Sequence, residues 1–215
     1  MLQLRNLVKT EEPPILQQNK DTWTAAYIED STNPTKKYRY RHPDIKSALV
    51  EETSSKCVYC ESKIGHNTPG DVEHKIPSSE DRTKHFEWEN LTIACTECNR
   101  RKNRYYSPDV PFLDPYNNDV ELSLVHHGPI VCWRNGDVSA ETTVRILELH
   151  NSERRSLIDQ KISKIAQMNA ILERMNNAPP LLRSLLEVQL DELRAKDSEY
   201  SGMIISIGNT YGIWP

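Results

Sequence analysis

The pattern of apolar positions is clearest in the last third of the chain, where it predicts two amphipathic helices. In the first, apolar residues recur at steps of three and four: Ile158, Ile162, Ile165, Met168, Leu172 and Met175. The second follows a turn at residues 176–180 and contains Leu182, Leu185, Leu186, Leu190 and Leu193. Each helix therefore has one apolar face, which serves core packing or an antiparallel hairpin, or else the docking of a partner. The apolar tail, residues 203–214, is expected to dock as a strand or to lie in an interface.

Shorter elements are predicted in the first quarter of the chain. Residues 1–20 predict an irregular arm, because two consecutive prolines interrupt any helix there. A short helix is expected over residues 20–28, and the polar stretch 31–37 predicts a loop. Residues 43–52 predict a further helix with a proline in its first turn.

The middle of the chain predicts a ββα unit. Residues 72–76 and 88–94 look like short strands, the first ended by a proline, and residues 96–105 can form the helix that follows them. Beyond this unit, a strand is expected at residues 130–134, ahead of a turn, and a short helix at residues 144–149.

Composition predicts a cytoplasmic protein without a membrane span. The chain of 215 residues has a mean hydropathy of −0.69. It has no run of 18 apolar residues, and its first residues lack the apolar core of a signal peptide. Four of the five cysteines occur in Cys-x-x-Cys pairs, which fits a reducing compartment better than a disulfide framework.

The net charge of −4 comes from the second half of the chain. The first 110 residues carry 17 basic and 17 acidic side chains, whereas the remainder carries 10 and 14. A basic run follows the second cysteine pair: Arg100, Arg101, Lys102 and Arg104. This run either faces phosphate groups or is a solvated group of charges, and the sequence leaves both readings open.

The two Cys-x-x-Cys pairs predict a structural zinc site. Four thiolates in two tight turns suit a tetrahedral Zn²⁺ ion, and the pairs supply Cys57, Cys60, Cys95 and Cys98. A redox role is the alternative, but neither pair lies in a thioredoxin-like βαβ pattern. The spacer of 34 residues between the pairs is long enough to carry structure of its own.

His74, Asn90 and Asn99 occur in the order of an HNH motif, within the strings EHKIP and WENLTIACTECNRRK. Together with the cysteine pairs, these strings resemble the HNH endonuclease family. The resemblance implies an α+β chain with a ββα-metal (His-Me finger) core and a four-cysteine zinc knuckle site. It also implies a nuclease that uses one divalent ion, commonly Mg²⁺ or Mn²⁺.

The resemblance also implies a role for each residue. His74 would be the general base, Glu73 and Asn99 would bind the catalytic ion, and Asn90 would tie the loop between the strands and orient His74. Lys102 and the neighbouring arginines would contact the substrate backbone. Asn90 could instead only cap a turn.

Elementary chemistry agrees with these roles. A neutral imidazole can accept a proton at cellular pH, and carboxylate and amide oxygens suit a hard cation. Glu73 replaces the commoner Asp and Asn99 replaces the commoner His, which leaves the preferred metal open. Because neighbours on a strand point to opposite faces, Glu73 and His74 can share a site only where the strand ends or distorts.

The other residues with metal-ligating side chains have no partner pattern and are expected to be structural or on the surface: His66, His85, His126, His127 and Cys132.

The flanking sequence narrows the resemblance. The strings KCVYCE, FLDP and ILELHN resemble the HNH nuclease of Septu-type anti-phage defence (the PtuB group), strongly over residues 56–116 and loosely over residues 140–165. The resemblance implies an effector that acts with a PtuA-like ATPase. Because some members are encoded with retrons, a retron reverse transcriptase and its DNA are further candidate partners.

These observations divide the chain into three regions: residues 1–55 as an N-terminal arm with helices, 56–116 as the HNH core, and 117–215 as a mainly helical region for packing or partner binding. Two other functions stay open. One is a non-catalytic zinc module that binds nucleic acid or scaffolds a partner, and the other is restriction of modified DNA without an ATPase. DNA is the favoured substrate, although a single-metal site does not distinguish it from RNA.

Overall fold

A computed structural model of the protein describes residues 6–65, 70–117 and 119–214. The chain divides into two compact units, one formed by Leu7–Phe112 and one that contains the chain from Leu113 onward. None of the described helices has the length and apolarity needed to cross a membrane. His66 and the first five residues of the predicted arm lie outside the described residues. The three-region division predicted from the sequence stays a prediction.

The first helix, α1, spans Pro14–Glu29 and begins well before residue 20, so the prediction of an irregular arm over the first 20 residues was too long. The prolines do not break this helix, because Pro14 lies in its first turn, where a backbone N–H has no helical partner. Leu16 and Tyr27 are the buried residues of α1.

The predicted loop at residues 31–37 instead contains a one-turn helix, α2, at Pro34–Lys37. The side chain of Asn33 caps it by accepting hydrogen bonds from the backbone N–H groups of residues 35 and 36. A 3₁₀ turn at Tyr38–Arg41 follows directly. The next helix, α3, spans Pro43–Glu52 and confirms the sequence prediction.

The predicted ββα order is confirmed in the first unit. Strand β1, Asp71–His74, pairs antiparallel with β2, Leu91–Ala94. A 3₁₀ turn at Trp88–Asn90 takes the place of the first half of the second predicted strand. Helix α4, Thr96–Lys102, follows β2 and packs against β1.

The segment ahead of α1 is fixed to this core by polar contacts. The ammonium group of Lys9 lies 3.1 Å from a carboxylate oxygen of Glu52, donates to the Leu91 carbonyl at 2.7 Å and stands 3.8 Å from the ring centroid of Trp88. Glu52 also accepts hydrogen bonds from the backbone and hydroxyl of Thr10. The arm therefore joins the end of α3 to the start of β2.

The second unit begins with a hairpin and a short helix. Strand β3, Leu124–His127, was not predicted; it pairs with β4, Ile130–Trp133, which confirms the strand expected there. Helix α5 spans Val138–Ile146 and so begins earlier than predicted, because the Asp137 side chain caps it through the N–H of Ala140 at 2.9 Å.

Three helices complete the second unit. The long helix α6, Arg155–Met175, packs against α7, Pro180–Leu193, as the apolar periodicity predicts for a hairpin. Part of the predicted stripe is not covered, since Ile162 is 49% exposed. The tail forms a third helix, α8, at Ser201–Thr210, so the prediction of a strand was wrong. It is a core helix whose buried apolar residues are Met203, Ile204, Ile205 and Ile207.

Trp214 folds back onto α8. Its indole N–H donates to the carbonyl of Ile205 at 3.1 Å, and a Cβ atom at Gly208 would clash with the indole nitrogen. A side chain at position 208 would therefore displace the ring, which explains the glycine.

Candidate active site and zinc centre

The four cysteines of the two predicted pairs are clustered, which confirms the expectation of a metal centre. Their sulfur atoms all lie within 4.8 Å of one another, and those of Cys60 and Cys95 are 3.8 Å apart. A tetrahedral Zn²⁺ ion with Zn–S bonds of about 2.3 Å separates its ligands by about 3.8 Å. Burial raises the pKa of the Cys57 thiol, so the thiolate form needs a cation beside it. The donor set therefore fits zinc.

Local turns position the two halves of this centre. In the first knuckle, the N–H of Cys57 donates to the Ser62 carbonyl at 2.9 Å, and Glu61 closes the turn with a φ of 60°. In the second, Cys95 caps α4 and its sulfur accepts from the N–H of Cys98 at 3.4 Å. An ion held by all four sulfurs would join the first knuckle to the start of α4, directly before Asn99.

His74 is the last residue of β1, and its half-buried ring lies among other aromatic rings. It stacks on His85 with ring centroids 4.6 Å apart and planes at 7°, and the ring of Tyr40 meets it edge-on at 4.7 Å. Its Nε2 atom lies 3.0 Å from the backbone carbonyl oxygen of His85. A carbonyl only accepts hydrogen bonds, so we assign the ring proton to Nε2, which leaves a lone pair on Nδ1.

The surroundings of His74 also favour the neutral ring. Burial lowers the pKa of His74 to about 3, and the nearby His85 and Lys102 act in the same direction. The imidazole is therefore neutral at cellular pH, and its Nδ1 carries a lone pair.

His85 is buried, and its ring contacts several other elements as well as the ring of His74. Its Nε2 atom lies 2.8 Å from the carbonyl oxygen of Lys37, and its Nδ1 atom lies 2.5 Å from the hydroxyl of Ser78. Tyr27 stacks on its other face at 4.1 Å. Burial lowers the pKa of His85 to about 4. The expectation of a structural histidine did not anticipate this contact with His74, because no spacing in the sequence joins residues 74 and 85.

Asn90 is buried immediately before β2 and holds the loop between the two strands. Its side-chain oxygen accepts from the N–H of Ile76 at 2.7 Å, and its amide nitrogen donates to the carbonyls of Ile76 at 3.0 Å and Lys84 at 2.9 Å. The Lys84 carbonyl directly precedes His85, whose own carbonyl accepts from His74. Asn90 therefore lies one peptide unit from the group that orients the imidazole.

Glu73 faces α4 and not the aromatic rings around His74. Its Oε1 atom lies 2.6 Å from the ammonium group of Lys102, and the Tyr59 hydroxyl lies 3.5 Å from the same oxygen. Burial raises the pKa of Glu73, whereas Lys102 and the Tyr59 hydroxyl act in the opposite direction. Lys102 also donates to the His74 carbonyl at 2.8 Å, so one ammonium group binds both residues at the end of β1.

The other residues predicted for the site lie on or just after α4. Asn99 is half-buried and lies three residues before Lys102, on the same side of the helix. Lys102 is only 3% exposed, so it lies in the interior and not on the surface predicted to contact nucleic acid. Arg100 and Arg101 pair with Glu97 at 2.9 and 2.7 Å, while Arg104 is exposed.

Replacing Lys102 with Met is expected to destabilise the first unit by about 3–5 kcal/mol, because it leaves the Glu73 carboxylate buried without its counter-ion. The measurement is the free energy of unfolding from denaturant titration.

Arg100→Met on the same helix is the matched control, because the Arg100 side chain is 64% exposed and its ion pair with Glu97 is worth about 0–1 kcal/mol. Equal stabilities of the two variants would show that the Lys102–Glu73 pair is not an important contact in solution.

Two comparisons with known proteins bear on this site. Residues 57–104 match the HNH endonuclease family, a range that contains both cysteine pairs. The chain is 29% identical over 181 residues to Septu protein PtuB of Bacillus thuringiensis, a match that covers 77% of this chain and 68% of the relative. It is 24% identical over 179 residues to Septu protein PtuB of Bacillus mycoides (strain KBAB4), covering 67% of this chain and 60% of that relative. Residues 57–104 are therefore similar to the HNH endonuclease family, and most of the chain is similar to the Septu proteins PtuB.

Proposed function

We propose that this protein is a metal-dependent nuclease that hydrolyses phosphodiester bonds, preferentially of DNA, in anti-phage defence. The observation that carries the proposal is the orientation of His74. Its Nε2–H is held by a backbone carbonyl, and the lone pair of Nδ1 is left to accept a proton from the attacking water. Asn90 supports this orientation by donating to the carbonyl of the Lys84–His85 peptide, one peptide unit before the carbonyl that accepts from His74.

Glu73 and Asn99 would hold the catalytic ion, either Mg²⁺ or Mn²⁺. Both supply oxygen donors, which suit a hard cation, and they lie on β1 and α4, which pack together. When bound, such an ion neutralises charge on the phosphate and stabilises the leaving oxygen.

The zinc centre serves the site indirectly in this proposal. Cys98 directly precedes Asn99 in α4, so the ion that fixes Cys98 also fixes the first turn of the helix that presents Asn99. The structural ion and the catalytic ion therefore have separate roles, and only the second contacts substrate.

The similarity to Septu proteins supports a role as the effector of a two-component system with a PtuA-like ATPase. We place this system in the cytoplasm. A retron reverse transcriptase and its DNA are further proposed partners, on the strength of the sequence resemblance alone. Residues 117–215 would supply packing or partner contacts, since they are mainly helical and carry exposed apolar positions.

A non-catalytic zinc module is the second candidate function, and the Lys102–Glu73 ion pair is the observation that favours it. The carboxylate proposed as a metal ligand already has a cationic partner in this structure. Such a module would bind nucleic acid or scaffold a partner without the use of Glu73 or Asn99 in chemistry.

Asn99→Ala separates the two candidate functions. We expect at least a tenfold loss of plasmid cleavage by the chain purified with its operon partners, because one ion ligand is lost, with the zinc content unchanged. Thr96→Ala, an exposed position on the same helix, is the control and is expected to cleave normally.

If Asn99→Ala protects cells from phage as well as the wild type does, while Cys57→Ser abolishes protection, the non-catalytic module is correct. Cleavage by the isolated chain only of base-modified DNA would instead indicate restriction of modified DNA without an ATPase.

A further inference from the structure

The six residues Lys36–Arg41, KKYRYR, form a segment of four basic and two aromatic side chains without an acid. We refer to it as the basic-aromatic segment. It spans the end of α2 and the following 3₁₀ turn. The basic residues in this segment are as numerous as those in the predicted run at residues 100–104.

The basic-aromatic segment lies directly against the residues proposed for catalysis. The ring of Tyr40 meets His74 at 4.7 Å and His85 at 5.1 Å, both edge-on. The carbonyl of Lys37 accepts a hydrogen bond from the His85 ring at 2.8 Å. Any substrate that brings a phosphate group to His74 must therefore pass close to this segment.

Most of the charge of the segment is uncompensated. Lys36 pairs with Glu29 at 2.9 Å, whereas in the described part of the chain no carboxylate lies within 4 Å of Lys37, Arg39 or Arg41. Arg100 and Arg101, by contrast, share the carboxylate of Glu97. The segment therefore carries more basic side chains without a carboxylate partner than α4, whose Arg100, Arg101 and Lys102 are all paired.

Arg41 is exposed and held in place by aromatic rings. Its guanidinium carbon stands 4.3 Å from the ring centroid of Tyr38 and 5.6 Å from that of Tyr40. Stacking on aromatic faces restricts the guanidinium plane, while its N–H groups keep the fork geometry that matches phosphate oxygens. Tyr38 is itself 40% exposed and offers a face on which an unpaired base can stack.

We propose that the basic-aromatic segment binds the phosphate backbone of the nucleic-acid substrate next to the scissile bond, with Arg41 as its principal contact. The inference rests on the proposed nuclease function, because it takes His74 as the position of the scissile phosphate. It assigns substrate binding to a segment outside the HNH motif.

The test is binding by the full chain carrying His74→Ala, without divalent ion, so that no cleavage occurs. The probes are a fluorescent 30-nucleotide single strand and the corresponding duplex, measured by anisotropy over a range of salt concentrations. Adding Arg41→Gln is expected to weaken binding about tenfold, because a charged hydrogen bond is lost. The slope of log affinity against log salt should fall in magnitude by about 1, the amount for one phosphate contact.

Arg183→Gln is the matched control, because it removes the same charge from an exposed position in the second unit. Arg39→Gln provides a second variant of the segment, and thermal melting and zinc content show that each variant is folded. Unchanged affinity and salt slope in both segment variants, or no binding of either probe at 50 mM salt, would overturn the proposal. Failure of the nuclease function is distinguishable, because it would appear as absence of cleavage by the wild-type protein with its partners, or as cleavage that survives His74→Ala.

Discussion

Removal of zinc is expected to unfold the unit Leu7–Phe112 of this protein. The four cysteine sulfurs come from two segments, 34 residues apart in sequence, and a structural zinc ion contributes on the order of 10–16 kcal/mol to the folding of small domains. Whole domains are stable by only about 5–15 kcal/mol, so the ion accounts for a large part of the stability of this unit. Burial raises the pKa of the Cys57 thiol, so its thiolate form is unfavourable unless a cation lies beside it. Removal of zinc takes that cation away.

The second unit is expected to respond less to zinc removal. It contains α5, α6, α7 and α8 but no residue of the four-cysteine cluster. After chelation we expect part of the helical circular dichroism signal to survive. Limited proteolysis should digest residues 7–112 first and leave fragments that begin near residue 113.

Two substitutions make this prediction specific. Cys57→Ser should lower the zinc content by native mass spectrometry and remove the melting transition of the first unit. Cys132→Ser should change neither, because Cys132 lies on β4 and outside the cluster. A zinc-free protein that keeps its full melting transition and its resistance to proteolysis would contradict a structural role for the ion.

The parts of the fold that could be predicted from the sequence are those set by local spacing. A Cys-x-x-Cys pair needs only one turn, so the cluster could be predicted without knowledge of the rest of the chain. Helix α3 could be predicted because its proline and its apolar face lie within ten residues. The ββα order could be predicted from two short strand-like stretches and the helix after them, whereas the 3₁₀ turn before β2 could not.

Other elements depend on contacts that the sequence does not display. The apolar tail looks like a strand or an interface, and it becomes a buried helix only because the second unit packs around it. The basic run at residues 100–104 looks uniform, yet the helical repeat turns Lys102 inward to Glu73 and leaves Arg100 in solvent. A charge run in sequence therefore overstated the charge available to a ligand.

The candidate site, too, could be predicted from the sequence only in part. The motif marks His74 and Asn90 as single positions, and their roles stay predictions. The stack of Tyr27, His85 and His74 could not be found, since it joins α1, the loop after β1 and β1 itself. Nor could the carbonyl that orients His74, because a backbone group has no signature in a sequence.

Replacing His74 is expected to abolish most of the cleavage activity while the fold remains. A positioned general base contributes about 10²–10⁴-fold to a rate, and the lone pair of Nδ1 is the proposed base here. The ring does not bind the structural ion, so zinc content should stay unchanged. His127→Ala is the matched control, because it removes an exposed histidine from the second unit and should cleave normally.

The most direct test of the account is therefore the rate of plasmid cleavage by His74→Ala, compared with the wild type at equal zinc content and with the same partners and divalent ion. We expect a rate lower by about 10²–10⁴-fold, with the unfolding transition of the first unit retained. Cleavage at the wild-type rate by a folded, zinc-loaded His74→Ala protein would contradict it.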